Sequence, residues 1–494
     1  MKKTFTLNLG MAFLCLLLSI SSAFAKIIQV ASPGNDNDIQ PAIQAAVDQA
    51  VDGDVIELPE GIFVVNKSVV VTKFVSIMGK GLSKTILYRS ESVADNTLSY
   101  DPAWNGMFRF DINQNVSSNI LVADICFRSK IPSIVSGDGK SRAADIGVKF
   151  VRCLDFVVTR CRFEYFGNGA VSVYHDDNIV GGLIYKNEFY HNAKGYDALG
   201  LGYGVVIYGS NYEWVADPKF GTSNFIFVED NLFDYHRHSI AAGGAALYVF
   251  RYNTVLNNVA GNTAHAIDMH EARLGGPGTE NNYSTRATEI YNNRIVNTTY
   301  KDGRSDVPNG TPIQPGGNID WLTESCIRPR GGEALVHHNY IQGYRFGVGI
   351  ITGLNNIGTP GVYPWPYQTG YNSGVQYGSS HTGVEENRGA GDVFMWEDTF
   401  HFHAPGAWYN TYFYNYSPTY IAAERDYHFY AKANYIPYIY PHPLRALGEL
   451  PTHPVNEHKI LSFDIIPNPN HGIFTFRFAT TKQDNYTVVI YSSS

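Results

Sequence analysis

Short alternations of apolar and polar residues, each interrupted by one asparagine, recur through residues 227–341. The clearest copies cover residues 227–233, 249–255, 290–296 and 336–341. A repeat of a few tens of residues built from short strands predicts a solenoid, in which each coil buries its apolar face against its neighbours. We predict that the asparagines of these copies are turn residues whose side-chain amides bind the backbone: Asn231, Asn253, Asn293 and Asn339.

A helix followed by strands is predicted before the repeats. Residues 38–50 place apolar side chains at helical intervals after an Asp38 cap, with Pro41 in the first turn. Such a helix would cover the open end of a solenoid, which otherwise exposes a sheet edge. Two later stretches rich in Gly, Pro, Asn and Asp are predicted to be loops leaving one side of the solenoid: residues 275–285 and 302–320.

The order of these elements carries a family resemblance. Residues 53–61 (Gly-Asp-Val-Ile-Glu-Leu-Pro-Glu-Gly), Gly79-Lys80-Gly81 and Thr85-Ile86-Leu87 resemble the N-terminal cap of pectate-lyase-like right-handed parallel β-helix proteins. The Asn-centred copies resemble coils of that fold, and residues 440–444 (Tyr-Pro-His-Pro-Leu) resemble the closing segment of secreted bacterial members. The resemblance implies an all-β chain with a right-handed parallel β-helix domain over residues 26–446.

The composition fits a turn-rich β protein and excludes some classes. Gly is abundant at 47 residues, as are Tyr at 34 and Phe at 28, whereas Met is scarce at 6. The net charge of −8 and the absence of a basic run argue against nucleic acid as a partner. The sequence contains no Cys-x-x-Cys pair, so no zinc site is predicted. We predict buried thiols at Cys126, Cys153, Cys161 and Cys326.

Both termini indicate export. Lys2-Lys3, the apolar residues 11–20 and Ala23-Phe24-Ala25 predict a signal peptide over residues 1–25. After a polar linker at 447–460, residues 461–494 resemble the start of a type IX secretion sorting domain of Bacteroidetes, centred on Pro467-Asn468-Pro469 and Gly472, and that resemblance implies a truncated domain. We therefore expect a secreted or surface-displayed monomer that meets the type IX secretion machinery.

Candidate chemistry appears when the copies are aligned on Ile240, Ile267 and Ile327. This alignment places Asp268 beside Arg328, and His270 beside Arg330, on an outward face if the isoleucines point inward. The predicted catalytic residues are His270, His238, Arg237 and Asp268. The predicted substrate-binding residues are Arg328, Arg330, Arg251, His236 and Tyr252, the last a lesser candidate for proton donation.

Arginines and histidines around one carboxylate suit an anionic polysaccharide. Cleaving a uronate by β-elimination requires neutralising the carboxylate, removing the proton next to it and protonating the leaving oxygen. Arg328 and Arg330 would bind the carboxylate, and His270 would act as base or acid with Asp268 orienting nearby groups. Arg237 and His238 would form a second catalytic pair, with Arg237 alternatively an unusual base.

Other interpretations stay open at this point. His236 and His238 also suit hydrogen-bonded structural roles, and Asp268 could simply pair with Arg328. A glycoside hydrolase would need two carboxylates, with Glu271 or Asp234 beside Asp268. A non-catalytic glycan-binding or adhesive β-helix is the third hypothesis, and the aromatic residues of 355–446 suit either sugar stacking or packing on the solenoid flank. No cofactor is predicted; a calcium-dependent mechanism stays open but unsupported, because the sequence has no clear acidic trio of ligands.

Overall fold

A computed structural model describes the following residues: 26–93, 104–112, 117–129, 144–175, 180–192, 201–209, 218–258, 265–270, 284–297, 325–351, 392–401, 411–416, 418 and 421–449, with the backbone of 299–300, 311–312, 460–467 and 474–480. The chain divides into two compact units, residues 1–448 and 449–494. The predicted loops at 275–285 and 302–320, like the predicted signal peptide, lie mostly or wholly outside the described residues.

Three long parallel sheets make up the described part of the first unit. Sheet A has twelve strands: β1 Ile27–Gln29, β2 Val55–Glu57, β5 Ser76–Met78, β8 Leu121–Ala123, β11 Phe156–Thr159, β14 Gly182–Tyr185, β17 Ile226–Glu229, β20 Leu247–Arg251, β23 Ala287–Tyr291, β28 Glu333–His337, β31 Val393–Trp396 and β34 Tyr427–His428. Sheet B has ten strands: β3 Gly61–Val65, β6 Thr85–Arg89, β9 Cys126–Arg128, β12 Arg162–Glu164, β15 Glu188–Tyr190, β18 Leu232–His236, β21 Thr254–Asn258, β24 Arg294–Val296, β29 Tyr340–Gln342 and β32 Thr399–His401. Sheet C has ten strands: β4 Val69–Val71, β7 Phe108–Asp111, β10 Val148–Val151, β13 Gly169–Tyr174, β16 Tyr203–Tyr208, β19 His238–Gly243, β22 Ile267–Met269, β27 Ser325–Pro329, β30 Phe346–Ile350 and β33 Thr411–Asn415.

The chain visits the sheets in the order A, B, C once per coil, so neighbours within a sheet come from successive coils. Identical side chains therefore stack inside the solenoid. Phe127, Phe163, Phe189 and Phe233 of sheet B form one such column, with successive ring centroids 5.1, 5.2 and 4.5 Å apart. All four rings are fully buried. The predicted fold class, an all-β right-handed parallel β-helix, is confirmed.

The turn between sheets A and B carries the asparagine ladder. The backbone N–H of each asparagine donates to the side-chain oxygen of the next one: Asn187 to Asn231, Asn231 to Asn253, Asn253 to Asn293 and Asn293 to Asn339, at 2.9–3.1 Å. The residue before each rung has a positive φ between 53° and 56°. The prediction that these asparagines are structural turn residues is confirmed, because their amides replace the strand pairing that the turn interrupts.

A single long helix lies at the N-terminal end of the described part. Helix α1 spans Gln40–Gln49 and buries Ile43, Ala46 and Val47. Its Gln44 side chain bonds both backbone groups of Val70 on the edge strand β4, at 3.0 and 2.9 Å. The N-cap is Ile39 rather than the predicted Asp38, whose carboxylate instead accepts the Gln40 N–H.

Residues 427–448, which we call the strap, run back across sheet A and end in the short helix α2, Arg445–Gly448. Lys432 forms an ion pair with Glu333 on β28 at 2.6 Å, and Arg445 forms one with Glu229 on β17 at 2.7 Å. Between them, the Tyr435 hydroxyl donates a hydrogen bond to Glu289 on β23. At its end the Gly448 carbonyl accepts from Arg160, which follows β11. The strap aromatics thus pack on the solenoid flank, one of the two interpretations of this aromatic region.

Two antiparallel pairs complete the described elements, namely β25 (Thr299–Tyr300) with β26 (Thr311–Pro312) and, in the second unit, β35 (Ile460–Pro467) with β36 (Phe474–Thr480). The four cysteines that the structure describes, at 126, 153, 161 and 326, are free and buried, as predicted. Burial raises the pKa of Cys126 and Cys153 to about 12, so these thiols stay protonated near neutral pH. Neither described helix has the length and apolar character needed to span a bilayer.

Candidate functional site

The outer face of sheet C brings the predicted catalytic residues together. Strand pairing aligns Ile240 with Ile267 and Ile267 with Ile327, the register that the sequence predicted. Asp268 consequently lies between Ala241 and Arg328 on neighbouring strands. Ile267 and Met269 belong to the core, so the intervening Asp268 projects from the opposite, outer face.

Asp268 is the centre of this cluster. Its carboxylate is completely buried and accepts two hydrogen bonds from Arg330, from Nε at 3.0 Å and from Nη2 at 2.6 Å. This two-point pairing is the strong form of an arginine–carboxylate contact. The pairing that the sequence allowed between Asp268 and Arg328 is therefore made by Arg330 instead.

Three aromatic side chains of one column stack behind the carboxylate. The ring of His238 lies between Tyr203, at 5.5 Å, and His265, at 5.4 Å, with interplanar angles of 11° and 17°. His238 Nε2 is 3.7 Å from Asp268 Oδ2, and its Nδ1 is 2.8 Å from the His265 carbonyl. The backbone N–H of His265 also lies 3.2 Å from Nδ1, so the tautomer of His238 decides whether Nδ1 donates to the carbonyl or accepts from this N–H.

The pKa values show what the surroundings favour. Burial acting alone would raise the pKa of Asp268, but Arg330 and the nearby His238, His270 and His265 hold it well below its usual range. Burial, reinforced by Arg237, lowers the pKa of His238 well below its ordinary value. His238 is therefore a neutral imidazole beside an ionised carboxylate at neutral pH.

The two remaining arginines border the cluster. Arg237 donates from Nη1 to the Tyr203 hydroxyl at 3.3 Å. The guanidinium of Arg328 lies 4.3 Å from the centre of the Tyr416 ring, a cation–π contact that fixes its position. Arg328 is 8% exposed, compared with 0% for Asp268 and 9% for His270. Asp268 and His238 thus form a buried inner tier, while His270 and Arg328 belong to an outer tier with more access to solvent.

His270 continues the strand that carries Asp268. Its backbone N–H donates to the Ala242 carbonyl at 2.8 Å, and its carbonyl accepts from Thr285. His270 is one of the groups that lower the pKa of Asp268, which places its imidazole near the carboxylate. The structure therefore assembles His270, His238, Arg237, Asp268, Arg328 and Arg330 on one face, as the sequence predicted.

Arg251 does not belong to this cluster, and the prediction that placed it there is wrong. It lies on β20 of sheet A, a different face of the solenoid. Its fully buried guanidinium binds Glu229 at 2.7 Å and the strap carbonyls of Tyr438 and Ile439 at 2.7 and 2.9 Å. These contacts make Arg251 a structural residue of the strap.

Tyr252 and His236 are also misplaced by the sequence prediction. Tyr252 occupies the asparagine-ladder turn with a φ of 56°, and its ring stacks on Tyr440 of the strap at 3.8 Å. His236 ends β18 of sheet B, is completely buried, and its Nε2 lies 3.2 Å from the Phe189 carbonyl. Burial lowers the pKa of His236 to about 3, as expected for a neutral structural histidine.

The carboxylates considered for hydrolysis do not meet Asp268 within the described residues. Asp234 lies on sheet B, where its side chain accepts from Asn257 at 3.2 Å. Glu271 falls outside the described residues. Among the residues that the structure describes, no three His, Cys, Asp or Glu side chains are grouped in a way that could hold a metal ion.

His265 and Tyr203 belong to the cluster but were not among the predicted site residues, and the inward direction expected for His238 from strict alternation was wrong. Strict alternation would send His238 and His265 inward with Ile240 and Ile267, yet both lie beside the outer carboxylate. Ala266, which separates His265 from Ile267, is itself in the core, so the chain bends at this position. His265 bonds Ser325 at 3.3 Å, and Tyr203 covers His238. The recurrence of polar residues two places before each aligned isoleucine was the available signal.

No family model and no curated protein matches the sequence. Among solved structures, DFA-IIIase from Arthrobacter chlorophenolicus A6 is 12% identical with a TM-score of 0.44, over 78% of this chain and 86% of that one. The mannuronan C-5 epimerase A-module of Azotobacter vinelandii is 12% identical with a TM-score of 0.34, over 82% and 100%. ORF18 of Geobacillus virus E2 is 13% identical with a TM-score of 0.35, and this chain spans 62% of its length while 71% of this chain is covered. At these TM-scores the comparisons say nothing about activity, and the fold stands on the strand pairing described above.

Proposed function

We propose that this chain is an exported enzyme that cleaves an acidic, uronate-containing polysaccharide by β-elimination. The observation that supports this best is the gathering of one ionised carboxylate, three histidines and two arginines on the outer face of sheet C: Asp268, His238, His265, His270, Arg328 and Arg330. Two arginines beside histidines form a surface suited to a carboxylate-bearing sugar, because guanidinium groups match carboxylate geometry.

The two tiers suggest a division of roles. In the outer tier, Arg328 binds the uronate carboxylate, and its stacking on Tyr416 keeps the guanidinium in place. His270 takes the proton next to that carboxylate, the electron pair forms a carbon–carbon double bond, and the bond to the glycosidic oxygen breaks as that oxygen takes a proton from solvent water. Arg237 and His238 form the second pair, near the leaving oxygen. The Asp268–Arg330 ion pair fixes the geometry and the local charge of the cluster.

A hydrolase is less well supported by the same arrangement. Hydrolysis requires an acid and a second carboxylate on either side of the scissile bond. Asp268 is held ionised by Arg330 and the histidines, so it is unsuited to act as the proton-donating acid. We keep hydrolysis and catalytically silent glycan binding as outcomes of the test rather than as proposals.

Export is part of the proposal and rests on the sequence. Residues 1–25 have the three parts of a signal peptide, and residues 461–494 resemble a type IX sorting domain. Expression in a Bacteroidetes host, followed by N-terminal sequencing of protein from the medium and the cell surface, tests it. A chain that retains Met1 and stays inside the cell would contradict it.

The test of activity uses a panel of uronate polysaccharides. Polygalacturonate, alginate and a glycosaminoglycan are incubated with purified protein, and both ultraviolet absorbance and reducing ends are followed. Elimination gives an unsaturated product that absorbs, together with new reducing ends. Reducing ends without absorbance would indicate hydrolysis instead. Silence in both assays with retained binding would indicate a glycan-binding protein.

A further inference from the structure

The outer face of sheet C continues past the cluster onto β13 and β16. Strand pairing aligns Tyr174 with Tyr208 and Tyr208 with Gly243, and His270 follows in the same column. The two tyrosine rings lie 4.9 Å apart with an interplanar angle of 31°. Both rings are half-buried, so part of each faces solvent. They form a platform on the same face as the cluster.

The platform is supported from both sides. The Lys149 ammonium lies 4.6 Å from the centre of the Tyr174 ring and donates to Asn105 at 3.0 Å. On the other side, Tyr208 packs against an apolar cluster of Val206, Ala241 and Tyr203 that is separate from the solenoid core. These three residues are buried, so they form a packed apolar base on which the half-buried Tyr208 ring rests.

Gly243 separates the platform from the cluster. It is the residue between Tyr208 and His270 in their column, and it is itself buried between these neighbours. Parallel strands are about 4.8 Å apart, so Tyr208 lies about 10 Å and Tyr174 about 14 Å from His270 along the wall. These separations suit a remote unit of a polymer rather than the sugar that reacts.

We propose that Tyr174 and Tyr208 form a subsite for a pyranose ring of the same polysaccharide chain whose uronate unit lies at His270 and Arg328. The inference rests on the proposed function for the identity of the polymer. Aromatic faces bind the apolar C–H face of a sugar ring, and the polar rim of the ring is left to solvent and nearby side chains. The Lys149 ammonium adds positive charge, which favours an acidic sugar.

The first experiment compares substrates of different length. Tyr174→Ala, Tyr208→Ala and Tyr208→Phe are assayed on the uronate polymer that the wild type cleaves and on its shortest cleavable fragments. In the alanine variants, the ratio of kcat/KM on polymer to kcat/KM on fragment falls on the order of tenfold. Tyr208→Phe keeps the ratio, because the ring remains. A matched control is Tyr190→Ala, since Tyr190 is a half-buried tyrosine on sheet B with Arg162 over its ring.

Gly243→Val is a second variant that leaves both rings in place. Its side chain occupies the face between platform and cluster, so the same ratio falls without loss of an aromatic residue. Thermal unfolding of every variant is measured alongside. An unchanged ratio in a folded Gly243→Val protein and in both alanine variants would overturn the subsite.

Binding without turnover separates this inference from the proposed function. Affinity electrophoresis in gels containing polygalacturonate or alginate is run for the wild type, Tyr174→Ala and Tyr208→Ala. Loss of retardation in the alanine variants, with no cleavage by any protein, would support the platform and overturn the elimination mechanism. Cleavage with equal retardation and equal ratios would overturn the platform and leave elimination standing. A wild type that neither binds nor cleaves any polyuronate would overturn both.

Discussion

At the scale of single residues, the charge of Asp268 depends on its partners. A completely buried carboxylate is costly unless it is paired, and Arg330 supplies a two-point ion pair. The nearby histidines lower the pKa of Asp268 further. Arg330 and these histidines therefore balance the charge of the buried Asp268 carboxylate from within the protein.

Replacing His270 with alanine is expected to abolish turnover and leave thermal unfolding nearly unchanged. The proposal assigns His270 the proton transfer, and His270 follows the last residue of β22, Met269, without belonging to the hydrophobic core. Product absorbance on the best polyuronate and a thermal melt measure the two effects. His338→Ala is the matched control, since that imidazole is 48% exposed and lies on another face. Full activity in the His270 variant would remove it from the mechanism.

Arg251 and Arg328 are expected to respond in opposite ways to alanine substitution. Arg251→Ala leaves Glu229 buried with one of its two arginine partners gone, so the free energy of unfolding falls by about 3 kcal/mol. Under the proposed function, Arg328→Ala removes the group that binds the substrate carboxylate, so KM rises on the order of tenfold or more, while the larger loss of stability is that of Arg251→Ala.

Denaturant titration and steady-state kinetics on both variants test this contrast between the two arginines. A large rise in KM for Arg251→Ala at unchanged stability would contradict the structural role assigned to it.

At the scale of elements, the asparagine ladder holds the turn between sheets A and B. The Asn253 amide donates to the Val228 and Arg251 carbonyls at 2.9 and 3.0 Å, and its oxygen accepts the Asn231 N–H at 3.0 Å. Asn253→Ala therefore leaves several buried backbone groups unbonded, and we expect a loss of about 3 kcal/mol in unfolding free energy. Urea denaturation measures this loss.

Asn37→Ala is the matched control for the ladder variant, because Asn37 is exposed and bonds only nearby loop carbonyls. The two variants should differ by at least about 2 kcal/mol. Equal stability of both would mean that the ladder contributes nothing beyond the turn geometry.

The register of the coils could be predicted from the sequence, and the assignment of residues to faces only in part. Aligning Ile240, Ile267 and Ile327 works because a core isoleucine recurs at the same place in each coil. That alignment correctly brings His270 and Arg330 together on one wall. The hydrophobic pattern and the coil length can be recognised directly in the sequence, because both depend on residues that are close together in the chain.

The bends between strands could not be predicted. Arg251 and Arg328 both follow apolar strands, but they belong to different sheets because each coil has three strands rather than one. His265 lies outside a simple alternation because the chain turns at Ala266. A bend depends on the backbone angles of a few small residues, and residue type alone leaves those angles open.

At the scale of the whole molecule, buried neutral histidines make the protein sensitive to acid. Burial lowers the pKa of His236, His337 and His442 to about 3, compared with 6.5 in an unfolded chain. Below pH 6.5 these histidines bind protons in the unfolded state but not in the folded state, so stability falls as the pH drops towards 3. Asp398 has the opposite effect, because its pKa is raised from 3.8 to about 6 in the folded protein. Its protonation therefore stabilises the folded state as the pH falls from about 6 to 3.8.

His236→Gln should therefore flatten the acid side of the stability profile. One such histidine contributes at most about 1.4 kcal/mol per pH unit in this window, so the wild type loses about 2 kcal/mol more than the variant between pH 6.5 and pH 5. Urea denaturation at several pH values gives both profiles. Parallel profiles would mean that His236 is protonated in the folded protein or stays neutral in both states.

The strap changes how this stack of coils can come apart. A plain solenoid can fray from its last coil inward, since each coil is held only by the one beside it. Here the strap returns over sheet A and contacts Glu333, Glu289 and Glu229. The last coil therefore cannot separate without breaking contacts to strands of earlier coils. The coils that the strap spans are therefore expected to unfold together rather than one at a time from the end.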